Sequence, residues 1–217
     1  MLSYEKMKPD FHDQLLNSKN PLRAWFHKSR LQVIQRLAHQ YSSESSRVVD
    51  LGCGSCSWNT ERRQVIGIDV NEAALQYAVS EGRLAEYQCA DIGATGLIAE
   101  SVDLVIAAEV LEHIEGYERV IREMHRILKP SGVAIVSVPY DTFFSLWKPL
   151  FFIHCFVQGQ ILGDDYFKNQ AGHINHFSPA RLQAAFVRNG FQIREQSHLK
   201  RLTIFLVAVK ASGSNAA

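Results

Sequence analysis

Arg47-Val-Val-Asp-Leu-Gly-Cys-Gly-Ser-Cys-Ser-Trp-Asn-Thr-Glu-Arg-Arg-Gln-Val-Ile-Gly-Ile-Asp-Val70 is the stretch whose reading decides the fold. Two short apolar runs, 48–51 and 65–68, are bounded by Gly and acidic residues and have the character of neighbouring parallel strands buried on both faces. Gly52 and Gly54 leave the first run without a Cβ, so the backbone can turn through positive φ and a ligand can lie against it. Asp69 closes the second run. A carboxylate at the carboxyl edge of that strand can accept both hydroxyls of a ribose, so the pair of strands reads as a nucleoside site.

A dinucleotide fingerprint, G-x-G-x-x-G, would place a third glycine at position 57, where the chain has Ser57. Asp50-Leu-Gly-Cys-Gly resembles instead motif I of the class I S-adenosylmethionine (SAM) dependent methyltransferases, D-L-G-C-G-x-G, with Cys56 standing for the last glycine. The resemblance implies a glycine turn, Asp50, Gly52, Cys53 and Gly54, under the methionine part of SAM, and Asp69 with Val70 at the ribose. It also implies an acid after the third strand, Asp91, that meets the adenine amino group while Ile92 packs on the ring.

Length and composition agree with one domain. The chain has 217 residues, 47% of them apolar, enough for one large core. Lys plus Arg (23) nearly balance Asp plus Glu (22), so no global field draws it to phosphate backbones and nucleic acid is not expected as a partner. Residues 1–13 are polar and mixed in charge, and no run of about 18 uncharged apolar residues occurs, which predicts a cytoplasmic protein. The four cysteines form no disulfide scaffold, and Cys53-x-x-Cys56 lacks a second pair or a nearby His to complete a zinc site. No metal is expected.

Taken in order, the apolar spacing of Leu22, Trp25, Phe26, Val33, Ile34 and Leu37 predicts an amphipathic helix over 21–41 within an N-terminal helical cap, residues 1–46. Between Gly54 and Val65 there is room for at most a very short crossover helix, which would leave one side of the turn less covered. Asn71 caps a helix that follows, 84–89 alternates as a strand, and 102–107 is a fourth, apolar strand. It runs into Glu109-Val-Leu-Glu-His113, similar to the E-V-L-E-H segment of small-molecule SAM methyltransferases. A helix here would put Glu109 and His113 on one face, Glu109 toward the cofactor and His113 toward the substrate; a metal set of Glu109, Glu112 and His113 stays open beside that reading. A helix over 117–128 stops at Lys129-Pro-Ser-Gly132, and 133–138 is a fifth strand.

Residues 140–176 form an insert. Within it, 142–162 is rich in Phe, Leu and Trp with Lys148 as its one charge, and reads as core packing, as a lid over a lipophilic substrate, or as a surface that dips into a membrane interface. It ends in Gly172-His173-Ile-Asn-His176-Phe-Ser178-Pro179, where Ser178 caps a helix. A closing hairpin follows at 191–198 and 202–210. The expected fold is thus α/β: a Rossmann-like seven-stranded methyltransferase sheet in one domain spanning 1–217, five parallel strands plus a C-terminal antiparallel hairpin, with helices on both faces. The resemblance implies a SAM-dependent methyltransferase and says little about the acceptor; the apolar insert points to a small, apolar molecule, with O-methylation favoured, and N- or C-methylation, or a SAM-binding regulator without turnover, are the alternatives. A hydroxyl acceptor would benefit from a base, and His113, His173 and His176 are the candidates, His173 foremost. The implied cofactor set is Asp50, Gly52, Cys53, Gly54, Asp69, Val70, Asp91, Ile92 and Glu109.

Overall fold

The computed structural model describes residues 7–142, 145, 153, 156–157 and 173–211. Most of the apolar stretch 142–162, and with it the choice between its three readings, lies outside the described residues.

Seven strands form one sheet: β1 (Val48–Leu51), β2 (Val65–Asp69), β3 (Glu86–Cys89), β4 (Val102–Ala108), β5 (Leu128–Pro139), β6 (Phe191–Leu199) and β7 (Thr203–Lys210). Their order is β3-β2-β1-β4-β5-β7-β6. The first five are parallel, and β7 inserts antiparallel between β5 and β6. This is the expected sheet. Because β1, β4 and β5 lie inside it, both of their faces must be apolar, and β1 is buried at every position. Alternation sorts the side chains: Val105 and Ala107 of β4 join one core layer and Leu104 and Ile106 the other.

The helices are α1 (Phe11–Leu16), α2 (Pro21–Tyr41), α3 (Glu72–Ser80), α4 (Glu118–Ile127) and α5 (Pro179–Arg188). On one face α4 and α5 contribute Val120, Ile121, Met124, Leu182 and Phe186 to the core. On the other, α2 and α3 contribute Ile34, Leu37, Leu75 and Ala78. Caps set their starts. The Asn20 side chain accepts from the Leu22 and Arg23 amides with Pro21 in the first turn, Asn71 Oδ1 accepts from Ala74 N at 3.0 Å, and Ser178 Oγ accepts from Arg181 N at 3.2 Å ahead of Pro179.

Four expectations need correction. Only the second half of α2 is a core helix, since Leu22 and Trp25 are 62% and 41% exposed. The link from β1 to β2 contains turns and no helix. Side chains replace the missing helical ladder: buried Asn59 donates to Arg63 O and Arg83 O at 2.9 and 2.8 Å and accepts from Arg63 N at 3.0 Å. The strand expected from Leu84 starts at Glu86, Leu84 being drawn into the core instead. Residues 109–114 are not α-helical: Glu109 takes a left-handed φ of 57° and a single 3-10 turn, Leu111–His113, follows, so Glu109 and His113 do not share a helical face.

Candidate active site

A cleft of about 370 Å³ opens at the carboxyl ends of β1, β2 and β4. All nine residues of the cofactor set read from the sequence line it: Asp50, Gly52, Cys53, Gly54, Asp69, Val70, Asp91, Ile92 and Glu109. The other wall is α1 and α2, which contribute Phe11, His12, Leu15, Leu16, Arg30 and Leu31.

The turn after β1 requires its glycines. Gly52 has φ 68°, and a Cβ there would stand 2.7 Å from Val110 Cγ2; Gly54 has φ 49°, and its Cβ would stand 2.8 Å from His12 Cε1. Gly54 N donates to Asp69 Oδ2 and Asn71 N to Asp69 Oδ1, each at 2.8 Å, so two backbone amides aim the carboxylate that ends β2. Burial raises the proton affinity of Asp69, and those amides oppose it.

Asp50 sits beneath the turn, fully buried. Its Oδ2 accepts the Trp58 indole N–H at 2.8 Å and the Cys56 thiol at 3.5 Å, whereas Oδ1 is buried with no hydrogen-bond partner. Burial pushes its pKa up to about 7; the Trp58 and Cys56 donors pull it down, and the nearby Asp69 carboxylate pushes it further up. Trp58 and Cys56 thus have a structural duty, one that the departure from the family's last glycine made hard to foresee.

Glu109 is held on three sides. Its amide donates to Ser137 O at 2.9 Å, its Oε1 accepts from Ser137 Oγ at 2.8 Å, and its Oε2 pairs with Arg30 Nη1 at 3.0 Å. Asp91 is also engaged: Arg119 Nη1 lies 2.7 Å from each of its oxygens and Gly93 N donates to Oδ1 at 2.8 Å. Partial burial works against the Asp91 charge, but these donors outweigh it and hold the carboxyl below its ordinary range.

The α1 wall belongs to the N-terminal helical cap expected over 1–46, although no particular residue of it was expected at the site. Its anchor is Asp13, whose carboxylate receives Arg83 Nη1 and Nη2 at 3.0 and 2.9 Å, the Tyr77 hydroxyl at 2.8 Å and Ser57 Oγ at 3.0 Å. This seats His12 on the glycine turn. Burial, reinforced by the Arg30 charge, lowers the His12 pKa to about 4, against the opposing pull of Asp13.

The three candidate histidines separate. His113 lines the cleft. His173 packs behind it, ring centroids 4.8 Å apart at 61°, and burial first, then the His113 charge, lowers its pKa to about 3. His176 lies at the surface, its side chain 57% exposed, with Nδ1 in a short contact with Asp141 Oδ2. Glu112 is buried beside His113, its Oε1 3.7 Å from His113 Nε2 and its Oε2 without a hydrogen-bond partner.

Residues 49–136 match a family described as a methyltransferase domain. A Mycobacterium tuberculosis protein named "Probable S-adenosylmethionine-dependent methyltransferase" is 32% identical over 126 residues, covering 56% of this chain and 44% of that protein. The ubiquinone biosynthesis O-methyltransferase of Histophilus somni is 31% identical over 128 residues, covering 53% of each. This chain spans about half the length of the curated relatives it matches. Among solved structures, magnesium protoporphyrin IX methyltransferase from Synechocystis with bound SAH superposes with a TM-score of 0.65 at 16% identity, covering 89% of both chains. The methyltransferase in complex with the Haloferax volcanii Trm112 activator gives 0.67 at 18%, covering 89% of this chain and 95% of that one. Residues 49–136 thus carry the match to a methyltransferase domain, the chain is similar in sequence to proteins named S-adenosylmethionine-dependent methyltransferases, and its fold is that of the solved methyltransferases it superposes on.

Proposed function

We propose that the chain transfers a methyl group from SAM to an oxygen of a small, apolar acceptor. The observation that carries this reading is one cleft with two chemically distinct halves. Along the strand ends, Asp50, Gly52, Cys53, Gly54, Asp69, Val70, Asp91, Ile92 and Glu109 would hold the cofactor. The fit is supported by Asp50 Oδ1, a buried acceptor with no partner, which suits an ammonium donor, and by the glycine turn, whose Gly52 and Gly54 line the same cleft. When bound, SAM supplies an electrophilic methyl on sulfonium. The chain's task is then to align an acceptor and exclude water.

The α1 and α2 wall serves that task. Phe11, Leu15, Leu16 and Leu31, with Ile114 opposite, give the cleft an apolar side that suits a lipophilic acceptor. His113 is the candidate histidine that meets such a molecule, while His173 and His176 stand behind or outside the cleft. The Histophilus somni relative, named an O-methyltransferase of ubiquinone biosynthesis, supports oxygen as the receiving atom and a lipophilic acceptor. Within the proposal, residues 1–46 are a helical cap on a single domain in a cytoplasmic setting; the lid expected over 140–176 lies mostly outside the described residues. No helix among the described residues is long and apolar enough to cross a membrane. Ile153 and Phe156, 63% and 61% exposed, suit peripheral membrane contact, which liposome flotation tests.

Incubation with methyl-labelled SAM and a metabolite extract, followed by partition into aqueous, organic, protein and nucleic-acid fractions, tests the acceptor. Label in the organic fraction, released by ester or ether cleavage, is expected. Label confined to protein or nucleic acid would refute the small-molecule reading.

A further inference from the structure

We propose that Glu112, His113 and His173 form a binding site for a divalent transition-metal cation at the end of the cleft. The sequence alone predicts no metal and leaves a set of Glu109, Glu112 and His113 open beside that expectation; the proposed site differs from that set in one member. Glu109 is taken up by Arg30 and Ser137, while a loop from the other side of the insert brings His173 against His113. Glu112, His113 and His173 each place a ligand atom so that all three lie within 4.8 Å of one another.

Two further observations point to a ligand. Glu112 is 1% exposed, and its Oε2 has no hydrogen-bond partner. A carboxylate withdrawn this far from water needs a compensating charge or a proton; the Arg30 charge acts on it from a distance, and no Lys or Arg forms an ion pair with it among the described residues. The second observation is the lacing of the two backbone segments. Ile174 N and Asn175 N both donate to Glu112 O, at 2.9 and 3.0 Å, and Asn175 Nδ2 donates to Leu111 O and Ile114 O at 2.9 and 2.8 Å. The residue after His173 and the residue after that are thus bound to the turn that carries Glu112 and His113. A metal site needs its ligands on backbone fixed in this way.

Two imidazoles and one carboxylate suit zinc, iron(II), cobalt(II), nickel or manganese better than magnesium or calcium, which favour oxygen. Metal bonds of about 2.0–2.2 Å set ligand atoms roughly 3–3.5 Å apart, so closure on a cation asks for side-chain shifts of about 1 Å. His113 lines the cleft, so a cation held by these residues would lie at its edge, within reach of an acceptor there. An acceptor hydroxyl bound there would release its proton to solvent near neutral pH, leaving the oxygen able to take the methyl group as the carbon–sulfur bond breaks. That use rests on the methyl-transfer reading; the binding of the cation does not.

Cobalt(II) titration of the metal-stripped full chain, read by equilibrium dialysis and by the visible ligand-field spectrum, tests the site. One cobalt(II) per chain is expected, with bands that zinc displaces. Losing an outer partner of a metal ligand costs about 10–100-fold in affinity, so Glu112→Gln, His113→Ala and His173→Ala should each weaken binding at least about 100-fold. His39→Ala, which removes a surface histidine paired with Glu61, should leave it unchanged. Thermal melting and S-adenosylhomocysteine calorimetry on each variant show whether the fold and cofactor half survive. Binding lost from the three ligand variants alone, with S-adenosylhomocysteine affinity retained, supports the proposal. No binding by the parent, or equal loss in His39→Ala, overturns it. Cobalt(II) bound by a parent that ignores S-adenosylhomocysteine would uphold the site and sink the cofactor reading instead.

Discussion

Replacing Asp50 by Asn separates what a buried carboxylate costs the unliganded fold from what it gives the ligand. Burial raises this group from its ordinary 3.8 to about 7. A shift of that size, at 1.36 kcal/mol per unit, corresponds to about 4 kcal/mol against the ionised form. Because the folded pKa lies above the unfolded one, the folded state holds the proton longer. The contribution to stability is therefore fully present below about pH 4, declines as pH rises, and is lost through about pH 7. Asp50→Asn carries no charge to bury, so its melting temperature should gain on that of the parent as pH rises from 4.5 to 7.5 and then run parallel. Binding should invert the relation. An ammonium placed against Oδ1 favours the carboxylate, so S-adenosylhomocysteine affinity of the parent should rise up to about tenfold per unit between pH 6 and 7 and level off above. Asp50→Asn should bind weakly with little pH dependence. Calorimetry in two buffers of different ionisation enthalpy should show proton release by the parent alone. Melting curves that stay parallel across the whole range, with no proton release, would refute the reasoning.

Gly67→Ala tests packing without backbone strain: its Cβ would stand 2.5 Å from Leu84 Cδ1 and 2.8 Å from Cys53 Sγ, so thermal unfolding should show about 1–3 kcal/mol of lost stability, partly restored by Leu84→Val. Glu123 is buried and accepts from Arg126 and from Thr95, which overcome burial and lower its pKa to about 2. With its folded pKa depressed, its contribution is present above about pH 4.5 and lost as pH falls through about 2. Glu123→Gln should cost about 1–3 kcal/mol in denaturant unfolding at pH 7, and less at pH 3.

The parts of the fold that local chemistry dictates were legible. Short, mainly apolar runs mark β1, β4 and β5 as interior strands, and Asn71, Ser178 and Pro179 mark helix starts because a cap needs only its own neighbours. The glycine turn and Asp69 were legible for the same reason. Contacts across long separations were not. Asp13 meets Arg83 70 residues away, and that pair seats α1, in a stretch that local pattern marks only as polar, as a wall of the cleft. Arg30 fixes Glu109 from a helix whose exposed face carries no signal of it. The link between β1 and β2 misled because Asn59 satisfies by side chain backbone groups that a helix would satisfy by its own ladder. At Glu109 the left-handed backbone overrode a helical pattern, and His173 reaches His113 through tertiary placement that spacing cannot encode.

The central claim is that the glycine turn, Asp50 and Asp69 hold SAM in the cleft where methyl transfer takes place. Calorimetric titration of S-adenosylhomocysteine into the parent chain and into Asp69→Ala tests it most directly. One site per chain is expected in the parent, with no heat from NADH. In the variant, ribose hydroxyls left unpaired should cost about 1–3 kcal/mol, roughly 10- to 100-fold in affinity. Equal affinity in the two proteins, or NADH bound in place of S-adenosylhomocysteine, would contradict the account.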